Sequence, residues 1–278
     1  MPETDRRRAP RTPPERSRFT ADPAAANRLG SALKGWTVYA FRSVSSTMEL
    51  AHELAVEGAP ERTLVFAGKQ EQGRGRLGRT WSSPKGGAYF SVILRPTRPV
   101  REIPQLALVA GLAAAEAVHE LTGLSPSVRW PNDLLLDGRK LAGILAESRN
   151  GAVVLGIGIN VTPRPGELPE TAASLGANLR PGGGAPGAKM RLDAPGVTTT
   201  VCLALEGWYD IWTRKGFADI RAALRPRIGL FGHPVHVATG SEYFEGTAQD
   251  LDELGRLVVR LDSGLMRAFE MGEVARLR

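Results

Sequence analysis

Apolar and polar positions along this chain change period several times, and each change marks an element. From 35 to 42 the run Gly-Trp-Thr-Val-Tyr-Ala-Phe-Arg is rich in β-branched and aromatic residues and alternates, which predicts a strand. Ser46-Thr47-Met48-Glu49 has capping-box spacing and predicts a helix from there to about 57. A strand follows over 62–69, then a glycine-rich loop, then a second strand over 88–94. The Ala-rich 103–121 stretch has helical period. Asp137-Gly138 separates the apolar runs 134–136 and 140–147, a strong hairpin signal, and 152–159 reads as one more strand ending at Asn160. Residues 163–187 are Pro- and Gly-rich and predict a loop or insertion, while 198–224 returns to helical period. Beyond Arg225-Pro226 come four short strands with tight turns, the pattern of a small barrel. Strands punctuated by few helices predict an α+β domain with a largely antiparallel or mixed sheet.

The first 30 or so residues lack apolar periodicity, and their Pro, Arg and Ala content predicts a disordered basic tail over 1–34. Residues 1–35 hold eight basic and four acidic side chains, so about +4 of the net +7 sits there. A nucleic-acid role argued from charge would rest on that tail, and no room precedes the first strand for a winged helix-turn-helix. The one cysteine, Cys202, lies in an apolar helical stretch and excludes a disulfide framework. Apolar runs fall short of the ~18 residues of a membrane span, and no signal-peptide core is evident, so a cytoplasmic protein is expected. His233 and His236 lack Cys or acidic company; no metal site is expected there.

The chemistry concentrates in Gly73-Arg74-Gly75-Arg76-Leu77-Gly78-Arg79-Thr80-Trp81. Its letters fit a dinucleotide fingerprint and a Walker A loop with Arg for Lys. Both of those need a helix to start at the last glycine, and here Trp81-Ser-Ser-Pro84-Lys-Gly86-Gly87 turns instead. Three arginines packed this closely repel one another, and glycines make ordering the loop costly. An anion that accepts guanidinium and backbone N–H bonds offsets both costs, so an oxyanion or phosphate ligand is the natural inference. A solvated basic turn is the alternative. Trp130-Pro131-Asn132-Asp133, Lys140 and the small residues of Gly156-Ile-Gly158-Ile-Asn160 form the second group, where glycines allow close approach to the strand.

Together these motifs resemble the biotin protein ligases. The matching residues are Ser46-Thr47, Gln70, Gly73 to Trp81, Trp130 to Asp133, Arg139-Lys-Leu-Ala-Gly143-Ile-Leu145 and Gly156 to Asn160. The resemblance implies a catalytic core like that of class II tRNA synthetases over 35–225, followed by an SH3-like barrel over 226–278. It implies ATP, biotin and Mg2+ as cofactors and a biotin carboxyl carrier protein or carrier domain as partner, with no specific DNA binding. Arg76 then resembles the arginine that closes over the acyl-adenylate, supported by Arg74 and Arg79. Lys140 resembles the lysine that meets the biotin carboxylate. Ser46, Thr47 and Gln70 look like the hydrogen-bonding set for biotin's rings, and Trp81 and Asn160 lie on the adenylate side. Trp130, Asn132, Gly73, Gly75, Gly143, Gly156 and Gly158 complete the implied binding site, and Asp133 is the candidate to orient or accept a proton from the carrier lysine. Two residues depart from the family pattern: Arg129 stands where Lys is common, and Met48 where Asn usually follows Ser-Thr. A lipoate ligase of the same superfamily and a basic nucleic-acid-binding module are the alternative readings.

Overall fold

The computed structural model describes residues 19–164, 166–179, 192–270 and 272–276. In chain order the elements are β1 (Thr20–Ala21), α1 (Pro23–Ala32), β2 (Thr37–Ser43), α2 (Thr47–Val56), β3 (Thr63–Ala67), β4 (Gly87–Leu94), α3 (Gln105–Thr122), β5 (Ser127–Arg129), β6 (Asp133–Leu136), β7 (Arg139–Arg149), β8 (Ala152–Asn160), α4 (Leu175–Asn178), α5 (Ala194–Lys215) and α6 (Ala218–Leu224). A second set of strands follows: β9 (Pro234–Thr239), β10 (Glu242–Leu251), β11 (Leu257–Leu261), β12 (Met266–Phe269) and β13 (Glu273–Arg276).

The first set forms an eight-stranded sheet in the order β1-β2-β3-β4-β8-β7-β6-β5. Only β2 and β3 run parallel, so the sheet is mixed as expected. β4 and β8 sit at its centre and are buried along their whole length, as strands covered on both faces must be. On one face, α3 and α5 pack together in the larger apolar core. On the other face, Met48, Leu50, Ala51 and Leu54 of α2 meet Val65, Ala67, Ile93 and Val154 in a separate core. That second face carries the site. The β6–β7 hairpin turns at Asp137 and Gly138, whose φ values of 50° and 75° are those of a type I′ turn.

One expectation fails. Residues 20–32 are not a structureless tail: β1 pairs with β2, and α1 is a capped helix. Asp22 accepts from the Ala25 N–H, and Pro23 takes the first helical position, where its missing N–H costs nothing. Arg28 then makes a bidentate pair with Asp193 at 2.7 and 2.8 Å, and the same carboxylate caps α5 through the Gly196 N–H. Residues 1–18, which hold most of the basic tail, and Pro181 to Gly184 of the expected insertion lie outside the described residues. The 163–179 part of that insertion contains the short helix α4, and Ala172 bridges to Lys140. The 198–224 helix is two helices, broken at Gly216 with φ of 81°.

The five later strands form an antiparallel sheet in the order β12-β11-β10-β9-β13. It is tied to the first domain by side-chain donors reaching backbone carbonyls of its Leu251–Gly255 stretch, from Gln105, Trp130 and Arg221. No described helix is long and apolar enough to cross a membrane.

Candidate active site

β7 and β8 make the floor. Alternation puts Gly143, Leu145 and Glu147 on the α2 face of β7, and Gly158 and Gly156 pair with Gly143 and Leu145 across the ladder. A Cβ on Gly158 would meet Trp81 Nε1 at 2.5 Å, and one on Gly143 would meet the same indole at 2.9 Å. On Gly156 it would meet Met48 Sδ at 2.5 Å. The glycines are therefore small because an indole and a thioether lie directly on them.

The loop folds over this floor as a flap. Its ends close on each other through Trp81 N–H to the Gly73 carbonyl at 2.9 Å, so close that a Cβ on Gly73 would stand 2.4 Å from the Trp81 oxygen. The tip is a single 3-10 turn over Arg76–Gly78, with Leu77 at φ 55° and Gly78 at φ 72°. Leu77 is 77 % exposed. Arg76 donates to Asn132 Oδ1 at 3.1 Å, and Asn132 is fixed in turn by its Nδ2–H to the Ile144 carbonyl. Arg74 reaches the opposite way, to Glu147 Oε1 at 2.9 Å. Arg79 is exposed.

Lys140 enters at the start of β7. Its Nζ lies 2.7 Å from Asp133 Oδ1 and 5.2 Å from the centre of the Trp81 ring, within cation–π range. Asp133 is buried and also holds Arg129 at 2.5 Å, so one carboxylate orients two cations. Arg129, the departure from the family's lysine, thus spends its charge on Asp133. Asn160 Nδ2 donates to the Ala173 carbonyl at 2.9 Å and more weakly to the Lys140 carbonyl at 3.4 Å, which steadies the lysine's backbone.

At the other end, Thr47 donates both its N–H and its hydroxyl to Gln70 Oε1, at 2.8 and 3.0 Å, and accepts from Ser91. Gln70 Nε2 donates to Ser83. Ser46 holds the N-cap position of α2, yet its hydroxyl makes no capping bond. Among the described residues, three buried polar atoms around the cleft have no partner: Ser46 Oγ, Trp81 Nε1 and Asn160 Oδ1. Such atoms are costly to leave unsatisfied, and they mark where a polar ligand would be met.

Thr47, Gln70, Arg74, Gly75, Trp81, Lys140, Gly143, Gly156 and Gly158 line one cavity of about 50 Å³, together with Met48 and its neighbours on β7 and β8. The Trp81 indole and Met48 lie over the glycines of its floor. Of the remaining expected residues, Gly73, Arg76, Asn132, Asp133 and Asn160 support the cavity from behind through the contacts above. Trp130 is placed elsewhere. It is 2 % exposed and donates its indole N–H to the Gly255 carbonyl at 3.0 Å, which makes it an anchor between the two domains. Reading the sequence missed Ser91, His52 and Glu147. The signal for Glu147 was a carboxylate on a strand face that alternation otherwise makes apolar.

A mixed sheet thus brings a glycine floor, an arginine-bearing loop and a carboxylate-held lysine around one cavity, an arrangement whose cations suit a small anionic ligand. Residues 40–163 match the Biotin/lipoate A/B protein ligase family and 230–277 the Biotin protein ligase C terminal domain. The chain is 35 % identical over 232 residues to the bifunctional ligase/repressor BirA of Bacillus subtilis, covering 81 % of this chain and 70 % of that one. It is 35 % identical over 231 residues to the biotin–[acetyl-CoA-carboxylase] ligase of Mycobacterium tuberculosis, covering 81 % and 83 %. Among solved structures, the biotin protein ligase of Aquifex aeolicus in complex with biotin and ATP superposes with a TM-score of 0.74 at 28 % identity, covering 87 % of this chain and 99 % of that one. The chain belongs to the biotin protein ligase family.

Proposed function

We propose that this protein is an ATP-dependent biotin ligase that acts in the cytoplasm on a carrier domain of a biotin-dependent carboxylase. In the first step a biotin carboxylate oxygen bonds to the α-phosphorus of ATP, the bond to the β-phosphate oxygen breaks, and pyrophosphate leaves. In the second, the ε-amine of a carrier lysine attacks the carbonyl of biotinyl-5′-AMP, AMP leaves, and the amine loses a proton.

Two anions must meet in the first step, and fixed cations are what such a site must supply. In this reading Lys140, oriented by Asp133, meets the biotin carboxylate and then the acyl-phosphate oxygens. Arg76, steadied by Asn132, is the flap arginine for the α-phosphate, with Arg74 and Arg79 beside it. Ser46, Thr47 and Gln70 take the ureido end of biotin, and Trp81 and Asn160 flank the adenylate. Asp133 acts first as the positioning residue for Lys140, and in this reading it is also the carboxylate that orients or accepts the proton of the carrier amine. Closing the flap keeps water from the mixed anhydride. Magnesium belongs to this reading as part of the ATP substrate. Among the described residues no group of three or more His, Cys, Asp or Glu could hold a metal, and Asp133 is already engaged by two cations. In this reading 35–225 is the catalytic domain and the antiparallel strands of 226–278 form an SH3-like barrel.

The observation that carries the proposal is the convergence of Lys140, Trp81 and Arg74 on one glycine-floored cavity. The test is pyrophosphate exchange into ATP, followed by transfer to a purified carrier domain. Exchange stimulated by biotin and not by lipoate, with label appearing on the carrier, is the expected result. Exchange driven by lipoate instead would move the protein to the sister activity.

A further inference from the structure

Glu147 and His52 have no part in the reaction just described, yet they hold one of its arginines, Arg74. Glu147 lies at the rim of the cleft, on the same face of β7 as Gly143 and Leu145. Its Oε1 accepts from the Arg74 guanidinium at 2.9 Å and its Oε2 contacts His52 Nε2 at 2.9 Å. His52 is one helical turn beyond Met48, on the face of α2 that meets the sheet, and is 9 % exposed. Arg149 touches the same oxygen from solvent at a looser 3.3 Å. The carboxylate is thus fixed from beneath by a buried imidazole and presents its free edge to the flap. Burial pushes the imidazole below its ordinary pKa against the pull of Glu147, with Arg149 and Arg74 acting in the same direction as burial. At neutral pH the ring is uncharged, its Nε2–H donates to Glu147, and the negative charge is left for Arg74.

We propose that Glu147, held in place by His52, is the positioning residue that latches the flap onto the glycine floor through Arg74. Trp81 is the part of the flap that lies on that floor, with its Nε1–H unpartnered. Its seat is therefore not secured by its own hydrogen bond, and the charge pair at the rim supplies a fixed point in addition to the Arg76–Asn132 bond. A ligand carrying a carboxylate or phosphate competes with Glu147 for the same guanidinium, so the latch sets how readily the flap gives way. This rests on reading 73–81 as the flap over the substrates, but the latch itself can be tested without any substrate.

The experiment is limited trypsin digestion of the intact protein in the absence of biotin and ATP, scoring cleavage after Arg76 and Arg79 by mass. Glu147→Gln keeps the shape and removes the charge. Cleavage in the flap is expected to rise about five-fold, the scale of a part-exposed ion pair, while cleavage elsewhere and the Tm stay at the parental values. Arg74→Ala, which approaches from the exposed side, is expected to give the same rise, and the double variant no more than either alone. With biotin and ATP present, Glu147→Gln is expected to release the acyl-adenylate faster while kcat at saturation changes little. Parental flap cleavage in Glu147→Gln, or additive effects in the double variant, would overturn the latch. Absence of biotin-dependent pyrophosphate exchange in the parent would instead sink the functional reading and leave the digestion result standing.

Discussion

The floor and the flap of this cleft are built on opposite principles. β8 is buried at every position, is paired on both sides by β4 and β7, and carries Gly156, Gly158 and Asn160 at fixed points of a two-residue repeat. The flap has one 3-10 turn, a single bridge from Arg74 to Thr80, an exposed leucine at its tip and three glycines. Local stability tracks buried apolar contact and protected hydrogen bonds, so the floor opens only with the domain while the flap can open alone. The chemistry is divided to match. Lys140 stands on the rigid side, where its geometry is set by Asp133 and the Asn160 amide. The arginines stand on the movable side.

The sharpest way to test this division is to remove the cation that belongs to the floor. Lys140→Ala leaves Asp133 paired with Arg129 and leaves the sheet intact. Loss of one fixed charge-stabilising group typically costs on the order of 10²–10³ in rate, and that fall is expected in biotin-dependent pyrophosphate exchange with little change in Tm. A variant that lost Tm in proportion to activity would mean that the lysine belongs to the packing of the sheet.

A second substitution sets floor against flap. Gly158→Ala puts a methyl group 2.5 Å from Trp81 Nε1. The β8 backbone is pinned on both sides, so the indole must yield. Overpacking costs of 1–3 kcal/mol are usual in cores, but the strain here can be relieved by lifting the flap. The expected outcome is about a ten-fold rise in KM for biotin with a near-parental melting temperature. A large loss of Tm would show that the flap is as rigid as the strand beneath it.

The third concerns what stands behind the floor. Trp130→Phe keeps an aromatic ring, though a smaller one, and removes the donor to Gly255, leaving a carbonyl unsatisfied between the domains. About 1–3 kcal/mol of stability is expected to be lost, read by urea unfolding, with KM for biotin unchanged. A selective rise in KM would return Trp130 to the ligand, where its motif first placed it.

How much of this could be read from the letters depended on sequence distance. The Asp137-Gly138 hairpin, the capping position of Ser46 and the flap itself are local patterns, and the Gly156/Gly158 repeat reports a close approach whatever makes it. The Trp130 motif does not say whether the indole faces a ligand or Gly255, the partner it has in the structure, which lies 125 residues further on. The helix α1 was hidden for a similar reason. Its buried positions are only Ala25 and Leu29, followed by Leu33, and the bonds that hold it reach Asp193 across 165 residues. Glu147 and His52 are 95 residues apart, and neither has a motif. Side chains that act through a distant partner leave no spacing to detect.

The smallest expected effect is on the pH dependence of stability, and it probes the contact between α2 and the floor at His52 and Glu147. His52 lies under Glu147 with Arg149 and Arg74 nearby, and burial sets the direction of its shift, downward. Above about pH 6.5 the imidazole is neutral in both folded and unfolded chains and adds no slope. As pH falls below that value the unfolded chain takes up the proton first, so stability declines until the folded ring is also protonated. His52→Gln removes this contribution. Between about pH 8 and about pH 5 the parent is therefore expected to lose slightly more Tm than the variant, measured by thermal unfolding at matched ionic strength. A steeper acid loss in the variant would mean that the folded protein prefers the charged imidazolium, and that Glu147 outweighs burial at this position.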